Sequence, residues 1–132
     1  MKQGLIVLFL IVVIMACNKS DDNKNPDLIG KWKLIEVLAD PGDGSGTFQR
    51  VTSEKIMEFH TDGNVTSNGS ICDMSIGSDT PRSGTYSLSD STINSPDCPN
   101  LPLKIRFRKE GSVLIIYYPC YEACMTKYTK LN

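Results

Sequence analysis

The chain has 132 residues, of which 40% are hydrophobic and 22% are charged, and its formal net charge at pH 7 is −1. This composition is typical of a soluble globular domain and excludes a disordered chain. Nucleic acid is not an expected partner, because binding to phosphates needs a clustered basic surface that this sequence lacks. The residues from position 17 onward suffice for one hydrophobic core and are too few for two domains.

The N-terminal segment predicts an export signal. Lys2 supplies a positive charge, residues 5–15 carry no polar side chain, and Ala16 and Cys17 follow directly. Eleven helical residues would span about 16 Å, which is only about half of the hydrocarbon core of a bilayer, so a transmembrane helix is disfavoured. A charged start, a short apolar stretch and a small residue are typical of a signal peptide.

The end of this segment, Ile14-Met15-Ala16-Cys17, resembles the lipobox of bacterial lipoproteins. The resemblance implies that residues 1–16 are a lipoprotein signal peptide and that Cys17 receives diacylglycerol and acyl chains such as palmitate. Two or three acyl chains anchor a protein durably where one chain does not, so a membrane is the expected partner. An ordinary cleaved signal is the alternative.

Residues 17–27 are polar, have no periodicity and contain Pro26, so they predict a flexible tether behind the lipid anchor. Ser20-Asp21-Asp22 resembles the acidic signal that directs some diderm lipoproteins to the outer face of the outer membrane. The alternative is a solvated linker without a sorting role. We therefore expect an outer-membrane lipoprotein in the cell envelope of a diderm bacterium, with exposure at the cell surface if the acidic signal operates.

Four further cysteines, Cys72, Cys98, Cys120 and Cys124, form an even set in a chain directed to an oxidising compartment, which predicts two disulfides. Three connectivities exist, and the short spacing favours pairing Cys120 with Cys124 and Cys72 with Cys98. Zinc is disfavoured because the sequence lacks paired C-x-x-C knuckles and the single histidine, His60, is distant in sequence. A redox-active pair at Cys120 and Cys124 also lacks the usual C-x-x-C spacing.

From residue 28 onward, turn signals recur every eight to twelve residues between short alternating runs, and no window shows a helical stripe. The predicted strands are residues 28–38, 54–60, 65–67, 84–88, 92–94, 103–108, 113–118 and 125–131. Asp62-Gly63 marks a tight hairpin turn. Eight antiparallel strands in sequence order can close into an up-and-down barrel, so we expect an all-β barrel domain over residues 28–132.

Three short motifs are similar to those of the lipocalin-like, or calycin, group. Gly30-Lys31-Trp32 matches the G-x-W motif that opens the first strand of those barrels, and residues 59–63 (FHTDG) and 84–86 (GTY) follow in order. The resemblance implies a barrel over residues 28–131. It also implies a basic residue on the last strand above the tryptophan, where this chain has Lys127 and Lys130.

A second resemblance is to small secreted β-domains of the META type. These domains also follow a D-G-x-V hairpin with a cysteine and then a G-x-Y strand, as residues 62–65, Cys72 and residues 84–86 do here. This resemblance implies a structural or interaction module in place of a ligand carrier.

The alternation of apolar residues predicts which side chains face the barrel interior. The set is Trp32, Leu34, Met57, Phe59, Tyr86, Leu88, Ile105 and Phe107. These side chains would line a cavity for a small hydrophobic ligand, with a tyrosine hydroxyl to orient it. In the alternative, the same side chains fill the barrel. The pattern also places Leu38 on the face of Leu34, and Leu103 on the inward face of its strand.

No group of residues in the sequence predicts catalysis. His60 has no serine or cysteine nucleophile in a recognisable elbow around it, so a triad is not supported. Asp40 and Asp43 lie in a glycine-rich loop that lacks the terminal glutamate of a calcium loop. No glycine-rich phosphate loop is present. We therefore expect no enzyme activity, no catalytic residue, no metal and no cofactor.

Overall fold

The structure is a computed structural model that describes residue 25 and residues 27–132. The predicted signal peptide, Cys17 and most of the predicted tether lie outside the described residues. The described part is all-β. It contains no helix of the length and apolarity needed to cross a membrane.

The described residues form nine strands. They are β1 (Gly30–Ala39), β2 (Gln49–Arg50), β3 (Ile56–Phe59), β4 (Asn64–Ser67), β5 (Arg82–Ser87), β6 (Thr92–Asn94), β7 (Ile105–Glu110), β8 (Val113–Tyr117) and β9 (Cys124–Lys130). Eight of them coincide with the predicted strands within a few residues. The sequence analysis missed β2, which has only two residues and no pattern of its own.

Neighbouring strands pair antiparallel in the order β2-β1-β3-β4-β5-β6-β7-β8-β9, and β1 also pairs with β9. This last pairing closes the sheet. The result is an eight-stranded barrel made of β1 and β3 to β9, with β2 added beside the second half of β1. The predicted antiparallel up-and-down barrel is therefore confirmed. Closure removes the exposed strand edges that an open sheet of this kind would present.

A bulge in β1 between Leu34 and Glu36 changes which residues face inward. Beyond the bulge, Val37 lies opposite the fully buried Thr126 and packs against the core. Leu38, predicted to share the face of Leu34, is buried but lies outside the core cluster. The prediction for Leu38 was wrong because a simple alternation cannot include the extra residue of a bulge.

The position predicted for Leu103 was also wrong. β7 begins only at Ile105, and Leu103 is 70% exposed in the preceding loop. The register of β6 with β7 would place Leu103 opposite Ser95, which lies beyond the end of β6. Pro102 has no N–H group to donate to a strand ladder, so it also disfavours an earlier start of β7.

Connections alternate between the two ends of an up-and-down barrel. Four connections share one end with both disulfides, and we call this the disulfide end: residues 40–55, which include β2, and residues 68–81, 95–104 and 118–123. The turns between β3 and β4, β5 and β6, and β7 and β8 lie at the opposite end. Because β1 also starts there, we call it the N-terminal end.

The loop of residues 68–81 covers the disulfide end of the barrel. Ile71 is fully buried in the core cluster, while Ile76 in the same loop is 45% exposed. Ser53 donates a hydrogen bond of 2.7 Å to the carbonyl of Ile76, and Cys72 joins the loop to Cys98. One end of the barrel is thus closed by an inserted apolar side chain and covalently fastened loops.

We expect Ile71→Ala to lower the free energy of unfolding by about 2–5 kcal/mol, because it leaves a cavity under the loop. The matched control Ile76→Ala should change it by less than about 0.5 kcal/mol. Urea unfolding followed by the fluorescence of the single tryptophan, Trp32, measures both. Equal losses for the two variants would contradict the role of Ile71 in closing this end of the barrel.

Candidate functional site

The barrel interior is the site predicted from the sequence, and the structure gathers the predicted residues into one cluster. Six are buried: Trp32, Leu34, Met57, Phe59, Ile105 and Phe107. Tyr86 and Leu88 are half-buried and pack against the same cluster. Whether these residues bind a ligand stays a prediction.

Three aromatic rings form the centre of this cluster. The ring centroid of Phe59 lies 5.1 Å from that of Tyr86 and 5.7 Å from that of Phe107, in edge and tilted geometries that aromatic pairs favour. The Tyr86 hydroxyl donates a hydrogen bond of 2.6 Å to the carbonyl of His60. The hydroxyl expected to orient a ligand is therefore engaged with the backbone.

The interior side chains leave almost no surface for a ligand. Trp32 and Met57 are 0% exposed, and Phe59 is 1% exposed. A side chain that lines a ligand-sized cavity keeps surface accessible to a water-sized probe, whereas closely packed side chains do not. The burial therefore favours the alternative in which these side chains fill the barrel.

Trp32 closes the N-terminal end of the interior. Its indole Nε1 donates a hydrogen bond of 2.8 Å to the carbonyl of Leu28, which is itself fully buried. The Nζ atom of Lys130 lies 4.7 Å from the centroid of the Trp32 ring, a cation–π arrangement. Lys130 also donates to the carbonyls of Asp27 and Ile29. A lysine of the last strand thus makes the contact that the calycin resemblance implies for a basic residue.

Lys55 lies buried at the disulfide end of the interior, a feature that the sequence analysis did not single out. Its side chain is 0% exposed, and its Nζ donates a hydrogen bond of 2.8 Å to the carbonyl of Ser75 in the covering loop. The signal was present in the sequence, since Lys55 alternates in phase with Met57 and Phe59. Burial lowers the pKa of Lys55 to about 8, against the opposing effect of the Asp73 carboxylate.

Three hydroxyl groups meet inside the barrel near the same end. The Tyr118 and Thr126 hydroxyls share a hydrogen bond of 3.0 Å, and burial raises the pKa of Tyr118 to about 12. Burial also raises the pKa of Tyr128 well above its ordinary value. Within residues 27–132, the buried Tyr128 hydroxyl has no hydrogen-bond partner. Among the buried side-chain polar atoms of the described residues, this hydroxyl is the one without a partner, and a bound molecule or water could satisfy it.

Both predicted disulfides are confirmed. Cys72 is bonded to Cys98 and Cys120 to Cys124, with Cα–Cα distances of 5.3 and 6.1 Å. In the described residues, no group of three or more His, Cys, Asp or Glu side chains is arranged to hold a metal ion. The Nε2 atom of His60 is 3.0 Å from the hydroxyl of Thr66.

The glycine-rich loop after β1 is held by its first aspartate. The Asp40 carboxylate accepts hydrogen bonds from the backbone N–H groups of Gly42, Gly44 and Gly46, at 2.8 to 3.0 Å. The bonds from Gly46, Gly42 and Gly44 lower the pKa of Asp40. Asp43 accepts a bond from the N–H of Ser45. These contacts explain both aspartates as turn-forming residues.

Comparison with known proteins gives no match. No family model fits the chain, and no curated protein or solved structure is significantly similar to it. Membership of the calycin or META group stays a prediction.

Lys55 makes the stability of the fold depend on pH. Its pKa is about 8 in the folded chain and 10.5 in an unfolded one, so the unfolded state binds more protons between these values. Stability must then rise with pH in this window, by about 2 kcal/mol between pH 7 and 9.5. Above about pH 10, the raised pKa values of the buried tyrosines act in the opposite direction.

The measurement is urea unfolding at several pH values below 9.5. Lys55→Met should abolish the rise in the free energy of unfolding, while Lys31→Met, at an exposed position of β1, should preserve it. A rise of equal size in the Lys55→Met variant would assign the pH dependence to another group.

Proposed function

We propose that the protein is a lipid-anchored component of the cell envelope, held in the outer membrane of a diderm bacterium through Cys17. Its lipocalin-like barrel is filled and non-catalytic, and it acts as an interaction module through its surface. The lipobox-like Ile14 to Cys17 segment and the polar residues 17–27 support the anchor and the tether. The full burial of Trp32 and Met57 supports the filled barrel.

The observation that carries an interaction role is the position of the exposed apolar side chains. Among the described residues, the large hydrophobic side chains that are exposed are Ile76 (45%), Leu103 (70%) and the fully exposed Tyr121. All three belong to loops of the disulfide end. Exposed apolar and aromatic side chains grouped on one part of a surface mark binding sites.

The anchor would attach at the opposite end. The chain enters β1 at the N-terminal end, where Asp27 accepts a hydrogen bond from Lys130 and lies 3.8 Å from Lys109. A tether that leaves from this end directs the disulfide end away from the attachment point. The two disulfides stiffen the loops that carry the exposed residues, which lowers the entropy lost on binding a partner.

A second candidate function, the binding of a small hydrophobic ligand inside the barrel, is favoured by one observation. The Tyr128 hydroxyl is buried and lacks a hydrogen-bond partner among the described residues. A ligand with one polar atom would satisfy it, as would a single buried water.

Cys17→Ser is the test of the anchor. In a diderm host fed with an alkyne analogue of palmitate, the full chain should be labelled and should sediment with the outer membrane. The variant should lose the label and the membrane association, because it lacks the thiol that receives diacylglycerol. Labelling of the variant, or an unlabelled soluble parent chain, would contradict the proposed anchor.

The two candidate functions predict different results for an apolar probe. Residues 18–132 contain the complete closed barrel, so they can be tested as a soluble domain. If the barrel is filled, the fluorescence of 1-anilinonaphthalene-8-sulfonate should be the same with the parent domain and with Tyr128→Phe. Native mass spectrometry should then show no copurified molecule. A copurified lipophile that is lost in Tyr128→Phe would support the ligand carrier and overturn the filled barrel.

A further inference from the structure

A cleft of about 430 Å³ lies on the outer surface beside the disulfide end, where β6, β7 and β8 adjoin. The side chains that matter for its chemistry are those of Asp90, Leu103, Lys104, Arg106, Tyr117 and Pro119. We propose that this cleft binds an organic carboxylate carried on an apolar body, with Arg106 as the residue that receives the carboxylate. The inference deepens the proposed function by assigning a ligand class to the disulfide end.

Arg106 occupies the centre of this surface. It lies opposite Thr92 on β6 and opposite Tyr117 on β8, so it is flanked on both sides within the sheet. Its neighbours in the strand, Ile105 and Phe107, point into the core and are buried, while Arg106 itself is exposed. The strand therefore fixes the direction in which the guanidinium group leaves the barrel.

The cations of this surface differ in what they contact. Lys104 pairs with Asp90 at 3.3 Å, and Arg108 pairs with Glu110 at 2.8 Å. Arg106 makes no ion pair or side-chain hydrogen bond with any residue in the described part of the chain. Its guanidinium group thus keeps its fork of N–H donors, whose geometry matches a carboxylate.

Asp90 is held by partners other than Arg106. One of its carboxylate oxygens accepts a bond of 2.9 Å from the Thr92 hydroxyl, and the other is the partner of Lys104. The negative charge of Asp90 also makes a second negative charge on the ligand unfavourable. One unpaired guanidinium beside a fixed carboxylate suits a ligand with a single negative charge and disfavours a doubly charged phosphate.

The rest of the cleft is apolar. Leu103, 70% exposed, and Pro119 form part of its walls, and the Tyr117 ring adds an aromatic surface. The guanidinium of Arg108 lies 5.9 Å from the centroid of the Tyr117 ring, which helps to hold the ring in place. A ligand whose carboxylate meets Arg106 would therefore place an aliphatic or aromatic body against these side chains. The volume is in the lower range of small-molecule sites.

This chemistry has two sources, a free organic acid and the carboxylate of a peptide. Both are tested on ¹⁵N-labelled residues 18–132 with matched probes, 4-phenylbutyrate against 4-phenylbutyramide, and acetyl-Leu-Phe with a free C-terminus against its C-terminal amide. Amide-resonance shifts of residues 103–106 and of Tyr117, Tyr118 and Cys120 report binding. We expect at least one carboxylate to bind about tenfold more tightly than its amide, as one charge-assisted hydrogen bond would give.

Arg106→Gln should remove this preference for the carboxylate, whereas Arg82→Gln, at an exposed position of β5, should keep it. Both substitutions are on the outer surface, so both variants should retain the dispersed spectrum of the folded barrel. Preferential binding by the free acid alone identifies a small-molecule site, and preferential binding by the peptide identifies a segment of a protein partner.

Three results would overturn the inference. The first is equal binding of acids and amides, and the second is the absence of amide-resonance shifts at probe concentrations up to about 10 mM, where ligands of this size should bind a suitable cleft. The third is an equal loss of the carboxylate preference in Arg82→Gln and Arg106→Gln. The test uses no lipid, so its outcome is separate from that of the Cys17→Ser experiment. If the domain binds carboxylates but the full chain is not labelled by the palmitate analogue, the anchor alone is refuted. If the full chain is labelled by the palmitate analogue but the domain does not bind carboxylates, this site alone is refuted.

Discussion

The pairing of β1 with β9 is the contact on which the rest of the structure depends. It joins the first strand of the barrel to the last and converts a meander of hairpins into a closed barrel. The contact includes the bulge after Leu34, the ion pair of Glu36 with Lys127, and the stacking of Lys130 on Trp32. Because these partners are distant in sequence, closure is the step with the largest loss of chain entropy, and side-chain contacts along the whole seam offset it.

Closure also determines what happens inside the barrel. An eight-stranded barrel is just wide enough for its own side chains or one small ligand, and here the aromatic cluster of Phe59, Tyr86 and Phe107 occupies the interior. At the disulfide end, Ile71 completes the packing, and the buried Lys55 ammonium group donates a hydrogen bond to the backbone carbonyl of Ser75. The burial of Lys55 opposes stability at neutral pH, so the covering loop must supply compensating contacts, among them the Cys72–Cys98 bridge.

Much of the fold follows from local pattern. Turn signals and alternation predict the eight barrel strands, and the even number and the spacing of the cysteines predict their pairing. Lys55 alternates in phase with Met57 and Phe59, and this pattern indicates that it points inward. A lysine in a core is, however, too rare to be predicted from alternation alone. Leu38 and Leu103 could not be placed, since a bulge and the end of a neighbouring strand are properties of pairing and not of a single strand.

The proposed carboxylate site shows a different limit of sequence reasoning. Lys104, Arg106 and Arg108 alternate along one stretch and are equivalent as a pattern, since all three predict an outward basic face. Their environments separate them: Asp90 lies within reach of Lys104 and Glu110 within reach of Arg108, whereas Arg106 faces Thr92 and Tyr117. The acids that neutralise its neighbours lie in a turn and at a strand end, at positions fixed by the barrel. Arg106 is therefore a candidate ligand-binding group because, within the described residues, the fold places no acidic partner beside it. No spacing rule in the sequence distinguishes it from Lys104 and Arg108.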